Sequence, residues 1–321
     1  MLLWSAVSGA CASAPDEAFV VEPVVRGLDR PTQLAVTDEW WYVAQLNGGE
    51  AAAVGQVLRI DPRDPGAVPE VIVDGLDVPT GVAVFGGELW IMERRRLTRG
   101  PLDGGRRTVV VAEMAFNGRS QGTLTVDGDR LLFDTSGTTG SPPGPAGTPT
   151  DTSGAIWSVD LDGSITNLAW GFKHAYAHVR DDAEVLWTTE ISDGRYDGEP
   201  PLDEIVAVRP GVDHGWPICV DDRRPVRESG VTEPCAGMPA SHVTFGTGAT
   251  PTGIAVAPWD PELLVVALWV EGRVVSVPTS GAPDVVLVTD AFERPQHLVT
   301  DGTRLLVTDH AAGTISAIRR R

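Results

Sequence analysis

The chain carries its apolar residues in short runs, and the runs come in pairs. PTQLAV (31–36) is answered after a few polar residues by WWYVAQ (40–45). The same pairing returns as PTGVAV (79–84) with LWIMER (89–94), QGTLTV (121–126) with LLFDTS (131–136), and HAYAHV (174–179) with LWTTEI (186–191). It closes with PTGIAV (251–256) before LLVVAL (263–268), and PQHLVT (295–300) before LLVTDH (305–310). Runs of this length, rich in Leu, Val and Trp and bounded by turn residues, read as strands. A third strand usually follows, as in GQVLRI (55–60) and GAIWSV (154–159).

Six such units with almost no helical periodicity predict an all-β six-bladed β-propeller, four antiparallel strands to a blade around a central channel. A blade cannot bury both faces alone, so residues 19–321 are expected to form one cooperative domain. The run 19–25 is expected to supply the outer strand of the last blade and close the ring. Two spacings are longer than the rest, which places insertions at 136–154 and 192–242. Both leave the same kind of strand end, so both are expected to cover one mouth of the channel.

Composition narrows the partners. The 36 Gly and 25 Pro are spread as punctuation between the runs. No stretch approaches the roughly 18 apolar residues of a spanning helix. A net charge of -19 excludes nucleic acid, whose phosphates demand a basic face, and disfavours anionic membrane surfaces. Cys219 and Cys235 bracket a loop rich in Arg, Pro and Asp, where a disulfide is expected if the protein is exported. Cys11, in Val7-Ser8-Gly9-Ala10-Cys11, reads as a bacterial lipoprotein cleavage site. Residues 1–18 are therefore taken as leader and linker, with a lipid on Cys11 and an extracytoplasmic location.

Positions at the start of each first strand are expected to face the channel mouth. They include Arg30, Gln33, Arg119, Gln121, Lys173 and His174, and in the last blade Arg294, Gln296 and His297. Four fixed cations among them suit an anionic ligand, such as a carboxylate or phosphate, or an acidic sugar. Their alternative is pairing with nearby Asp29, Asp77 or Glu293. Tyr176 and Trp269 offer ring faces, with packing as the alternative. His174 is the candidate base, because Lys173 and Arg119 beside it favour the neutral, proton-accepting ring. Glu190, Ser192, Asp193 and Asp203, with Asp197, Glu199 and Glu204, supply closely spaced hard oxygen ligands for calcium. A solvated acidic loop is the competing reading.

From Gly154 onward the chain resembles the soluble quinoprotein glucose/sorbosone dehydrogenase family. The runs are GAIWSVDLDGSI, GFKHAYAHVRDDAEVLWTTEISD and, most specifically, LDEIVAVRPGVDHGWP. GRSQGTLTVDGDRLLFDTSG and FERPQHLVTDGTRLLVTDHAAGTISAI extend the resemblance to the third and last blades. It implies pyrroloquinoline quinone (PQQ) in the funnel, held by basic side chains and a calcium ion, with a His as general base. This sequence departs from that set. Arg119 stands where the family has its His, and a guanidinium cannot accept a proton. The Arg-Asn pair of the fourth blade is Lys173-His174, the fifth-blade Lys is Trp269, and the second Arg of the last blade is Gln296 while Arg294 persists. The calcium-ligating carbonyls would be those of Ser192 and Asp193.

The expectation is an exported relative of PQQ-dependent sugar dehydrogenases that binds an anionic cofactor or sugar-like ligand in the funnel. A non-catalytic binding or interaction propeller is the first alternative. A calcium-dependent lactonase-type hydrolase is the second.

Overall fold

The computed structural model describes residues 18–51, 54–118, 121–138, 143–230 and 235–321. Cys11 and Arg119 lie outside these. The described chain forms six four-stranded antiparallel sheets and one two-stranded ribbon. Blade one is Pro31–Val36, Trp41–Gln45, Gly55–Ile60 and Glu70–Leu76, paired in that order. The next blades repeat the plan, and neighbouring first strands touch all the way around, from Pro31–Val36 back to Pro295–Thr300. Blade six takes Pro295–Thr300, Leu305–Asp309 and Thr314–Arg320 from the end of the chain. Its outer strand is Phe19–Val25, with Phe19 opposite Arg320, so the ring closes between the two ends of the sequence as expected.

Alternation places the cores between blades. Trp90 and Met92 of blade two pack with Phe133 and Trp157 of blade three, all fully buried. Threonine hydroxyls then tie blade to blade near the axis: Thr32 Oγ1 donates to Pro79 O (2.8 Å), Thr252 Oγ1 to Pro295 O (3.0 Å) and Thr308 Oγ1 to Thr32 O (2.7 Å).

A second repeated device sits where each second strand ends. Its terminal side chain accepts a backbone N–H just ahead of the first strand. Gln45 takes the N–H of Asp29 (2.9 Å), Glu93 that of Asp77 (2.9 Å) and Glu190 that of Lys173 (2.6 Å). Asp309 takes two, from Glu293 (2.8 Å) and Arg294 (3.0 Å). Blade five ends its second strand in Leu268 and has no such group. There Asp203, from the preceding blade, accepts the Thr250 N–H (2.8 Å) instead. These N–H groups precede any sheet pairing, and a buried acceptor removes the cost of leaving them unbonded.

The stretch 192–242 is only partly an insertion. Glu204–Ala207 is the third strand of blade four, and Ser241–Thr244 its fourth. The acidic pair Asp203-Glu204 breaks the apolar pattern that would have marked this strand. The true excursion lies between those strands and carries the ribbon Cys219–Val220 with Arg224–Pro225. Cys219 and Cys235 are disulfide-bonded, with Cα atoms 6.2 Å apart. Trp216, Val220 and Val226 form a small core of its own beside Tyr196. Among the described residues no helix is long and apolar enough to cross a membrane.

Candidate active-site funnel

The first strands all start at one end of the ring, and there the channel widens into a cavity of about 520 Å³. Lys173, His174, Tyr176, Trp269 and Gln296 line it, and so do Ser192, Asp193 and Asp203 from the loop after the fourth blade's second strand. Six of the residues singled out for cofactor or metal binding thus share one cavity with His174. Glu50, Asn117, Thr250, Thr252 and His310 complete much of the wall, and none of these was singled out in advance.

Gln33 and Gln121 are placed elsewhere. Gln33 Nε2 donates to Leu124 O (2.5 Å), while its Oε1 accepts from Leu124 N (2.8 Å) and Val82 N (3.1 Å). This one amide therefore bridges blades one, two and three across the axis. Below the funnel it helps plug the channel, with Gln296 Nε2 donating to the Tyr176 hydroxyl (2.5 Å) from the other side. Gln121 is fully buried, giving its Nε2 to Ala115 O (2.9 Å) and its Oε1 to Ser136 N (2.9 Å).

Two of the four cations are tethered. Lys173 Nζ lies 3.0 Å from Asp193 Oδ1 and donates to Gly137 O (3.1 Å), with the Trp216 ring 5.4 Å away. Arg294 stacks its guanidinium 4.7 Å over the Trp269 ring and donates to the carbonyls of Trp269 (3.3 Å) and Val270 (2.6 Å). The indole Nε1–H of Trp269 is buried with no acceptor in reach.

His174 has a partner that the sequence reading missed. Its Nε2 lies 3.4 Å from Oδ2 of Asp134, which is wholly buried on the second strand of blade three. The other oxygen of Asp134 accepts the Gly122 N–H (2.6 Å). Burial holds the Asp134 carboxyl well above the usual carboxylate range. The signal was an acid inside an apolar run, LLFDTS, where an alternating strand should be dry. Burial likewise pushes Asp203 up to about 6 and Glu190 up to about 7, and raises Glu204 strongly. At neutral pH this patch therefore carries less negative charge than its sequence suggests.

Three comparisons bear on the fold. No family model and no curated protein matches the chain. Solved structures do. A Trichoderma reesei protein of Carbohydrate-Active Enzymes Family AA12, in a calcium structure, is 17% identical with a TM-score of 0.76, over 96% of this chain and 97% of that one. The PQQ-bound aldose sugar dehydrogenase of Streptomyces coelicolor is 16% identical with a TM-score of 0.70, over 96% and 100%. A gluconolactonase of Xanthomonas campestris is 18% identical with a TM-score of 0.60, over 94% and 89%. The likeness is one of fold. It agrees with the six-bladed β-propeller read from the sequence.

The residues fit the implied cofactors poorly. PQQ is a tricarboxylate and requires free countercharges. Among the described residues lining the funnel, Lys173 is the one Lys or Arg, and Asp193 already holds it. Calcium favours converging carboxylates. Both Asp203 oxygens accept backbone N–H groups, from Ser192 (2.8 Å) and Thr250 (2.8 Å), and Glu190 is bound to Lys173 N. Among the described residues no group of three or more His, Cys, Asp or Glu is placed to hold a metal ion.

Proposed function

We propose that the funnel holds a small polyhydroxylated ligand of the sugar class, with His174 taking a proton from one ligand hydroxyl. The observation that carries this is the buried, unbonded Nε1–H of Trp269, a residue that lines the funnel. A buried donor without an acceptor costs free energy that a ligand oxygen would restore. Thr250, Thr252 and Gln296 each spend a donor within the fold, on Gly248 O, Pro295 O and the Tyr176 hydroxyl, so toward a ligand hydroxyl they serve as acceptors. His174 lines the same wall, with Asp134 Oδ2 3.4 Å from its Nε2 but no hydrogen bond between them, and general-base work would use that imidazole. The sugar-acting solved structures of the same fold support the ligand class.

PQQ-dependent sugar oxidation is the second reading, favoured by the PQQ-bound neighbour. It requires Lys173 to exchange Asp193 for a cofactor carboxylate. Lactone hydrolysis on calcium has less support, because no acidic cluster converges among the described residues. A disulfide supports residence in an oxidising compartment, and hence export.

Calorimetric titration of the full chain with aldoses, then with PQQ and calcium, separates these readings. Saturable aldose binding without PQQ that is lost in Trp269→Phe supports the first. Quinone uptake with dye-coupled aldose oxidation supports the second. A funnel that binds neither aldose nor quinone sinks both.

A further inference from the structure

The first strands end at the opposite mouth of the channel, where a second cavity of about 390 Å³ opens. The plug made by Gln33 and by Gln296 with Tyr176 divides it from the funnel. Its wall is built by symmetry. Val36, Val84, Val126, Val179, Val256 and Thr300 line it, one from each blade, and each is the sixth residue of the run that opens its blade. Five valines around one axis make an apolar collar, and Val126 at its rim is 48% exposed. An apolar ring open to water is unfavourable unless something covers it.

One polar group faces the collar from within. His178 also lines the cavity, is 4% exposed, and neither ring nitrogen makes a hydrogen bond of good geometry, with the Ala175 backbone its one polar neighbour in reach. The neighbouring polar groups are already engaged. Arg180 grips Asp127 with Nε (2.5 Å) and Nη2 (2.7 Å), and His297 Nδ1 accepts the Leu34 N–H (3.5 Å). The Gln33 amide is spent on backbone, and Asp182 stands at the edge. Burial pushes His178 down to about 4, with Asp127 and the Ala175 backbone opposing only in part, so the ring is neutral. A neutral imidazole offers one donor and one acceptor, and at least one nitrogen here is left without a partner, which is costly.

We infer that this narrow mouth is a second ligand site, for a small apolar molecule bearing one hydroxyl, with the hydroxyl on His178 and the body within the valine collar. A polyol does not match it, because the collar offers further hydroxyls no partner. An anion does not match it either, since Arg180 is held by Asp127 and His178 is uncharged.

Cyclohexanol is a suitable probe and glycerol its polar counterpart. With uniformly ¹⁵N-labelled full-length protein, cyclohexanol is expected to shift the His178 ring nitrogens saturably, while those of His174 in the funnel stay in place. The His178 signals are assigned by their loss in His178→Phe. Val126→Glu, at a position already half exposed, is expected to keep the fold and weaken the probe at least tenfold. The proposal is overturned if no saturable shift arises by about 10 mM, a weak but real affinity. Equal binding of glycerol, or a shift untouched by Val126→Glu, also overturns it.

Discussion

His174 and Asp134 meet across the boundary between blades four and three, Nε2 to Oδ2 at 3.4 Å, with the carboxyl sealed from water. Neither partner can be charged alone at low cost in such a place. Asp134→Ala is expected to destabilise the protein by about 1–3 kcal/mol, chiefly by orphaning the buried Gly122 N–H. Asp134→Asn keeps an acceptor for Gly122 and is expected to recover most of that loss. Urea denaturation of the two variants makes the comparison. Equal loss in both would show that the contact has no polar content.

Glu190 gives a pH dependence with a definite sign. Its carboxyl is raised to about 7 by burial in the fold, against an ordinary value of 4.5. Between those values the folded chain binds more protons than the unfolded one, so this group makes stability fall as pH rises from about 4.5 to 7. Glu190→Gln keeps an oxygen for the Lys173 N–H and removes the titration. The variant is therefore expected to gain on the parent as pH rises, by on the order of 2 kcal/mol across the window. Chemical denaturation at pH 5 and pH 8 tests this. A difference that shrinks with pH would contradict it.

Gln33 is the cross-tie of the axis. Gln33→Leu matches its bulk but abandons two buried N–H groups and one carbonyl, on Val82 and Leu124. The expected loss is about 2–5 kcal/mol. Gln33→Glu is expected to be worse at neutral pH, where a carboxylate would face the Leu124 carbonyl in place of the donor. Thermal unfolding at pH 5 and pH 8 distinguishes the two.

The fold was legible because repetition makes each strand pair a copy of the others, and the apolar period survives in every blade. The closing strand followed from that register, and the disulfide from two cysteines that bracket one loop. What each polar side chain does with its hydrogen bonds was not legible. Gln33 and Lys173 both flank first strands, yet one amide is consumed by backbone and one ammonium by Asp193. Glu190 reads as a metal ligand in isolation. Its role is seen only beside Gln45, Glu93 and Asp309, which stand at matching places in other blades. Asp134 needed the third dimension, since its partner lies on another blade.

Ring closure also sets a clock. Phe19–Val25 is synthesised long before its partner Thr314–Arg320. At about 5–20 residues per second the first strand waits roughly 15–60 s for its mate. Throughout that interval the nascent sheet shows an unpaired edge, the feature that invites strand pairing with other chains. The last blade can therefore be completed only once Thr314–Arg320 has been made, and a holding factor that shields Phe19–Val25 until then would govern how much closed ring each round of synthesis yields.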